Sequence, residues 1–167
     1  MDSMGARERV FSVVMRDAAL EDDFPGLAES EYRITSDKDV RYNCIAWAIG
    51  DTTSFWYDAY VRGYYWPPGT PSADTLTGWV KVFQDHGYSD AEDDELDPDY
   101  EKVAIYVSAE GFPEHVARQK ASGMWTSKIG KGVDIEHETL AALEGEIMGK
   151  VAKIMQRKCK EGRRVLE

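Results

Sequence analysis

The sequence predicts an α+β domain, because its helical patterns precede its strand patterns instead of alternating with them. Apolar residues at helical spacing recur up to His86, and short apolar runs typical of strands begin at Lys102. Segregated helices and strands are typical of an antiparallel sheet that carries helices. The length of 167 residues fits a single domain, 1–167, in which 1–30 is predicted as an N-terminal arm or helix and 156–167 as a basic C-terminal tail.

Composition and charge limit the classes of function. Apolar residues make up 43% of the chain, so it can bury a core and is not expected to be disordered. Its formal net charge of −11 would repel a phosphate backbone. The sequence has no apolar run near the ~20 residues that span a bilayer, and MDSMGARERV lacks the basic-then-apolar plan of a secretion signal. We therefore expect a cytosolic protein without nucleic-acid or membrane partners, whose oligomeric state the sequence leaves open.

Three segments have helical patterns. Residues 7–20 place apolar side chains near one stripe and predict a helix or an N-terminal arm. In VRYNCIAWAIGD, Asn43 can cap a helix that begins at Cys44, and Gly50 terminates it. Residues 74–86 form an amphipathic pattern with apolar side chains three and four positions apart. Cys44 would therefore lie in the first turn of its helix.

Strand patterns occupy the second half of the chain. KVAIYVS at 102–108 and EHVARQ at 114–119 are predicted to pair antiparallel, and MWTSKIG at 124–130 is predicted to continue the sheet as a hairpin. The segment DIEHETLAALEG at 134–145 favours a capped short helix. For GKVAKIMQRK at 149–158, the pattern fits either a final strand or a helix. The sequence thus predicts a small antiparallel sheet that follows the Cys-bearing helix.

Cys44 and His115 are the candidates for catalysis. A thiol at a helix start gains thiolate character when an imidazole lies beside it, and that imidazole comes from another element of the fold. His115 heads the strand EHVARQ and could approach Cys44 in this way. Ser127, on the next strand, is the candidate that orients the ring, and His137 is an alternative base or orienting group. The competing interpretations are a buried core thiol, a structural His115 and a His137 that caps a helix.

Further side chains are candidates for substrate binding: Asn43, Trp47, Trp66, Trp125 and Lys128. Asn43 could assist the backbone N–H groups of the Cys44 helix in stabilising an oxyanion. Lys128 could bind a carboxylate or the oxyanion, the alternative being a solvated strand residue. A groove for an extended or aromatic ligand could be lined by aromatic side chains, namely Trp47, Trp56, Trp66 and Trp125 with Tyr64 and Tyr65. Core packing is the competing interpretation.

The cysteines and histidines indicate neither a disulfide nor a metal site. Cys44 and Cys159 lie far apart and do not suggest the paired framework of small secreted domains. Neither has a second Cys or a His at zinc-ligand spacing, and His86, His115 and His137 share no such spacing. We therefore expect free thiols, no metal and no cofactor.

The order of the predicted elements carries a resemblance of its own. A Cys-bearing helix followed by an antiparallel sheet whose second strand opens with His resembles the papain-like core, and in particular its NlpC/P60 relatives. The resemblance implies a papain-like α+β fold and a nucleophile–base pair of Cys44 and His115. In those relatives a His, Asn, Asp or Gln on the next strand orients the imidazole, whereas this chain has Ser127 there.

Seven short motifs are similar, in their order, to those of a family of small bacterial and fungal proteins of unknown function: YNCIAWAIGD, YYWPPG, FQDHGY, EKVAIY, HVARQ, WTSKIG and DIEH. They extend from residue 42 to residue 137 and so span most of the chain. This resemblance implies membership of that family, and it transfers no reaction.

Together these residues predict cysteine-dependent acyl-group chemistry. The reaction would be hydrolysis or transfer of an amide, peptide or thioester, with Cys44 as nucleophile and His115 as base. The substrate would be a small molecule or a peptide. The alternative is a non-catalytic binding module that keeps the scaffold and uses an aromatic-lined groove.

Overall fold

The computed structural model describes residues 16–160 of the chain. Its helices are α1 (Ala18–Asp23), α2 (Pro25–Ala28), α3 (Cys44–Ile49) and α4 (Leu76–Asp85), with a 3₁₀ turn at Leu140–Leu143. Its strands are β1 (Tyr32–Ile34), β2 (Phe55–Trp56), β3 (Tyr64–Tyr65), β4 (Ser89–Asp90), β5 (Tyr100–Val107), β6 (Pro113–Gln119), β7 (Trp125–Lys128), β8 (Asp134–His137) and β9 (Lys150–Lys158).

Seven of these strands form one antiparallel sheet in the order β1-β8-β7-β6-β5-β9-β4, while β2 and β3 form a separate parallel pair. The predicted pairing of 102–108 with 114–119 and the predicted hairpin to 124–130 are confirmed. The segment 149–158, left open between strand and helix, forms β9 and pairs with β5. The α+β class is confirmed.

Asn43 fixes both the start of α3 and its position beside β2. Its Oδ1 atom accepts hydrogen bonds from the backbone N–H of Ala46 at 3.3 Å and of Trp56 at 3.1 Å. Its Nδ2 group donates to the carbonyl of Trp56 at 2.7 Å. Gly50 ends the helix with φ +88°, a left-handed conformation that favours glycine. The predicted helix, capped by Asn43 and ended by Gly50, is therefore confirmed, and Cys44 occupies its first position.

The predicted amphipathic helix at 74–86 is also confirmed, as α4. The Thr75 side chain caps it by accepting a hydrogen bond from the backbone N–H of Gly78 at 3.0 Å. The apolar stripe of α4, which includes Trp79 and Phe83, is buried in the same core as α3. Both helices therefore cover one face of the sheet.

The register of β5 and β6 assigns their side chains to two different cores. Ile105 pairs with Val116, and both belong to the core that contains Cys44. Tyr106 pairs with His115, one residue along each strand, so the His115 side chain lies on the opposite face. That face carries the second core, which is covered by residues of α2 and of the 3₁₀ turn.

The pairing between β6 and β7 is short. These strands pair at Arg118 with Thr126 and at Gln119 with Trp125. By contrast, β7 pairs with β8 through every one of its residues. β6 and β7 therefore separate toward the end of the sheet that carries His115, and we call this opening the β6–β7 gap.

The predicted capped helix at 134–145 is wrong, because its first residues pair as strand β8. Asp134 accepts a hydrogen bond from the Tyr42 hydroxyl at 2.9 Å, and Glu136 binds Arg33 at 2.8 Å. These partners lie 92 and 103 positions earlier in the chain. Distant contacts thus override the local helical pattern, which survives as a short 3₁₀ turn after the strand.

At the N-terminal end of the described residues, α1 contains residues 18–20 of the segment 7–20 that was predicted as a helix or an arm. The carboxylate of Asp17 accepts hydrogen bonds from the backbone N–H groups of Ala19 and Leu20 and so caps the helix from outside. Residues 7–15 lie outside the described part of the chain.

At the C-terminal end, residues 156–158 belong to β9 and not to a tail. Arg157 binds the buried Glu101 of β5 at 2.8 Å, which ties this part of the basic segment to the sheet. The prediction of a tail at 156–167 is therefore wrong for 156–158, and 161–167 lie outside the described residues.

Candidate functional site

Cys44 and His115 line one cavity of about 480 Å³. It lies at the end of the sheet where β6 begins and β7 ends, because Pro113 and Gly130 also line it. Apolar and aromatic side chains form most of its wall, among them Phe24, Phe55, Tyr57, Tyr64, Trp79 and Met148. The two residues predicted to act together therefore border the same space.

Cys44 is a buried thiol, with 7% of its surface exposed. Burial raises the pKa of the Cys44 thiol to about 11, whereas the backbone N–H groups of Val116, Ile45 and Cys44 itself, and the charge of Lys128, act in the opposite direction. At neutral pH the sulfur is protonated in the resting protein. The surrounding N–H groups would nevertheless stabilise negative charge that develops there.

His115 is held by a chain of hydrogen bonds through buried side chains. Its Nε2 atom lies 2.8 Å from Oγ of Ser127, and that Oγ lies 2.8 Å from Nε2 of His137. Nδ1 of His137 lies 2.9 Å from the carbonyl oxygen of Thr139. His137 lies on β8 and not at a helix start, so the predicted capping alternative is wrong. We call this arrangement the His115–Ser127–His137 chain.

The carbonyl of Thr139 sets the direction of that chain. A carbonyl oxygen can only accept, so Nδ1 of His137 carries a proton and donates it. Burial lowers the pKa of His137 to about 4, so at neutral pH its Nε2 atom has no proton and accepts from the Ser127 hydroxyl. The Ser127 oxygen then accepts from Nε2 of His115. Burial, reinforced by the neighbouring His137, lowers the pKa of His115 to about 3, so Nδ1 of this neutral ring carries the free lone pair.

Cys44 and His115 approach the cavity from opposite faces of the sheet. Within residues 16–160, the His115 ring makes its hydrogen bond to Ser127 and none to Sγ of Cys44. The β6–β7 gap brings the two faces together. The backbone N–H group of Val116 is hydrogen-bonded to the sulfur of Cys44, and Val116 directly follows His115 in β6. Catalytic hydrogen bonds in unliganded enzymes are often long and shorten when substrate binds. Cys44 and His115 therefore border the same cavity, but their side chains are not hydrogen-bonded to each other in the described structure.

The buried rings predict a loss of stability in mild acid. The unfolded chain protonates its histidines near pH 6.5, whereas the folded-state pKa values of His115 and His137 are about 3 and about 4. The free energy of unfolding should therefore fall as the pH drops below 6.5 and continue to fall to about pH 4. Each ring contributes up to about 1.4 kcal/mol per pH unit in this window.

Urea denaturation at several pH values measures this loss. The His137→Gln variant removes one of the two rings, so its free energy of unfolding should fall less steeply with decreasing pH than that of the wild type. The carboxylates contribute in the same way to the pH dependence of both proteins, so their contribution cancels in the comparison. Equal slopes would contradict the assignment.

Among the predicted substrate-binding residues, Asn43 lines the cavity. Trp47 and Trp66 donate their indole N–H groups to neighbouring acceptors at 3.0 and 2.9 Å, within the core of α3 and α4. Trp125 packs in the second core. These three tryptophans lie away from the cavity, whose aromatic wall is made by other residues.

Lys128 is buried, with 0% of its surface exposed, so the predicted alternative of a solvated strand residue is wrong. Its Nζ group donates to the carbonyls of Gly130 at 2.9 Å and Gly132 at 2.6 Å. The same group lies 5.0 Å from the centre of the Tyr42 ring. Lys128 does not line the cavity, and its charge acts on the Cys44 thiol through the core.

The sequence did not identify Tyr57, Trp79 or Glu114 as site residues. The aromatic stretch 52–70 was a signal for Tyr57, whereas Trp79 belongs to the apolar stripe of an ordinary amphipathic helix. Glu114 lies where the register between β5 and β6 shifts, immediately before His115. Partial burial, followed by the charge of Glu110, raises the pKa of the Glu114 carboxyl. Its adjacency to the candidate base was the available signal.

The described part of the chain has neither a cluster of metal ligands nor a helix that could span a membrane. Within residues 16–160, no group of three or more His, Cys, Asp or Glu side chains could hold a metal ion. Cys44 is a free thiol. None of the helices in this range combines the length and the apolar character that crossing a bilayer requires.

A family model described as a domain of unknown function, DUF7689, matches residues 33–156. That range contains Cys44, His115, Ser127 and His137. No curated protein and no solved structure matches the chain. The expectation of a family of unknown function is confirmed, whereas the papain-like resemblance finds no structural neighbour.

Proposed function

We propose that this chain, which belongs to the DUF7689 family, is a cytosolic cysteine hydrolase or acyltransferase that acts on an amide, peptide or thioester. Cys44 is the nucleophile and His115 is the general base. Ser127 and His137 position the His115 ring, and Asn43 lies beside the acyl group. The observation that carries the proposal is the cavity shared by Cys44 and His115, at which the hydrogen-bond chain leaves Nδ1 of His115 as the basic nitrogen.

The reaction has two halves. First, the thiol proton of Cys44 moves to Nδ1 of His115 while Sγ bonds to the carbonyl carbon of the substrate. The bond from that carbon to the leaving nitrogen, oxygen or sulfur then breaks, and the leaving group takes the proton from the imidazolium. Water or another nucleophile next gives a proton to Nδ1 and attacks the acyl-thioester. The acyl product leaves, and the proton returns to the sulfur.

The protonation states define how the first half proceeds. Burial raises the pKa of Cys44 and lowers that of His115, so both groups are neutral at rest. Proton transfer must therefore accompany formation of the carbon–sulfur bond instead of preceding it. The N–H groups of Val116, Ile45 and Cys44 are available to stabilise charge in that transition state. Acylation should accordingly depend on a substrate that fills the cavity.

A papain-like, NlpC/P60-like scaffold is part of the proposal. It is supported by the order of elements, in which the Cys-bearing α3 precedes the antiparallel strands that carry His115 and Ser127. Serine departs from the usual orienting residues of those relatives. His137 stands behind it, so polar support for the His115 ring continues through two groups.

Acetylation by 4-nitrophenyl acetate tests the proposal. The chain has two cysteines, so the Cys159→Ser variant keeps Cys44 alone. This variant should release nitrophenolate and carry an acetyl group on Cys44 in mass spectra. The matched Cys44→Ser variant should do neither, and a further His115→Gln change should slow acetylation of Cys44 by about 100-fold. Acetylation of Cys159 alone in the folded wild type would overturn the proposal.

A non-catalytic binding module is the second candidate. It is favoured by the neutral resting states of Cys44 and His115 and by the burial of the sulfur. Such a module would bind ligands in the same cavity with equal affinity in the wild type and in Cys44→Ser. It would form no acyl adduct with any activated ester.

A further inference from the structure

We propose that the substrate of this cavity joins a bulky apolar or aromatic group to a protonated amine close to the reacting carbonyl. This inference rests on the function proposed above and specifies its substrate class. It follows from the wall of the cavity, from the sign of its charges and from the position of one carboxylate relative to His115.

The aromatic wall is held in place by its own contacts. Phe55 and Tyr64 stack with ring centres 4.3 Å apart. The indole N–H of Trp79 donates a hydrogen bond to the carbonyl of Ala73 at 2.7 Å, and the hydroxyl of Tyr57 donates one to the carboxylate of Asp74. Fixed aromatic faces around about 480 Å³ match the apolar, preformed sites that take small molecules. The cavity should therefore favour an acyl group with a large apolar side chain.

The charged side chains that line the cavity are of one sign, and the cation at its wall, the ammonium group of Lys131, lies over the stacked rings of Phe55 and Tyr64, 5.7 and 5.9 Å from their centres. Asp23 and Glu114 line it, and no Lys or Arg among the described residues does so. Neither carboxylate takes part in an ion pair of residues 16–160. His115 adds no positive charge because its ring is neutral. A cationic ligand would therefore gain an ion pair on entry, and an anionic ligand would be repelled.

Glu114 brings this charge close to the reacting atoms. It directly precedes His115, at the point where the register of β5 and β6 shifts, and such irregularities re-aim side chains beside active sites. The charge of Glu114 also affects the aromatic wall. Burial and Asp74 raise the pKa of Tyr57, and Glu114 raises it further. An ammonium group two bonds from the substrate carbonyl, as in an α-aminoacyl compound, would lie between the base and this wall.

Three coumarin amides of phenylalanine test the inference, with a free amine, an N-acetyl group or an N-succinyl group. At pH 6.5 the wild type should hydrolyse them in the order cationic, neutral, anionic. The ratio of kcat/KM for the free amine to that for the acetyl compound should be about 10 and should fall to about 1 in Glu114→Gln. Glu110→Gln, which removes a nearby carboxylate that does not line the cavity, should keep the ratio. A ratio at or below 1 in the wild type would overturn the inference.

Binding to the Cys44→Ser variant separates this inference from the proposed function. Phenylalanine amide and N-acetylphenylalanine amide are titrated into the variant while its backbone amide resonances are followed. Tighter binding of the cationic amide, lost in the Cys44→Ser/Glu114→Gln double variant, would uphold the ligand class even if no amide is hydrolysed. Equal binding, or tighter binding of the acetylated amide, would overturn it whatever the wild type hydrolyses.

Discussion

Replacing Ser127 with alanine is expected to slow acetylation of Cys44 by about 100-fold, because it breaks the chain that fixes the His115 ring. Nε2 of His115 and Nε2 of His137 both lose their partner at 2.8 Å. The two rings remain buried, so stability should fall by about 1 to 3 kcal/mol as well. The rate of acetylation and the urea midpoint are measured on the same preparation, so that loss of chemistry is not confused with loss of fold.

The tautomer of His115 distinguishes positioning from mere packing. Nitrogen NMR of the wild type should show the proton on Nε2, and Ser127→Ala should increase the population with the proton on Nδ1, the atom that must act as base. Thr126→Ala is the matched control. The Thr126 hydroxyl accepts a hydrogen bond from Trp47 on the opposite face, so its loss leaves the His115–Ser127–His137 chain intact. A folded Ser127→Ala protein with the wild-type tautomer and rate would contradict the assigned role.

Replacing Lys128 with methionine is expected to lower the free energy of unfolding by about 3 kcal/mol. Methionine keeps most of the volume but leaves the carbonyl of Gly130 without its donor and that of Gly132 with only the backbone N–H of Asp39. It also removes the positive charge that lowers the pKa of the buried Asp134 carboxyl, a pKa that burial raises. Chemical denaturation at pH 7 measures the loss.

The pH dependence gives this second prediction an internal check. Without Lys128 the pKa of the Asp134 carboxyl rises further, so this carboxyl takes up a proton at a higher pH than in the wild type and then needs no counter-charge. The difference in the free energy of unfolding between the wild type and Lys128→Met should therefore narrow as the pH is lowered from 7. Lys38→Met, a change of the same kind at an exposed position, is the control and should cost under about 0.5 kcal/mol. A similar loss of unfolding free energy in both variants would refute the role assigned to the buried Lys128.

Much of the fold was predictable because its signals are local. Asn43 and Gly50 cap and end α3 with side-chain and backbone properties that are visible in a dozen residues. The strands β5, β6 and β7 alternate or run apolar between short turns. β8 was missed because Asp134 and Glu136 resemble the acidic start of a helix, and the partners that hold them in a strand are Tyr42 and Arg33, far away in the sequence.

Three polar members of the candidate site could be proposed from the sequence, but its aromatic wall and its geometry could not. Cys44 and His115 were paired from the order of their elements, and Ser127 from its place on the adjacent strand. The sulfur of Cys44 and the ring of His115 face different cores because of the register of β5 with β6. No local sequence pattern contains that register. The link from Ser127 to His137 required β8, so the wrong element at 134–145 concealed it.

Two residue pairs hold β6 against β7, and the strands diverge beyond them. The sulfur and the imidazole of the proposed pair face each other through that opening, without contact, instead of across a cleft above the sheet. Their distance is therefore set by the spacing of the backbone, and a small splaying or closing of the strands changes it without any rotation of a side chain. In the proposed reaction, the separation of β6 and β7 would therefore control how closely the thiol approaches its base, and a ligand that wedges the strands apart would change the rate as directly as one that touches the thiol.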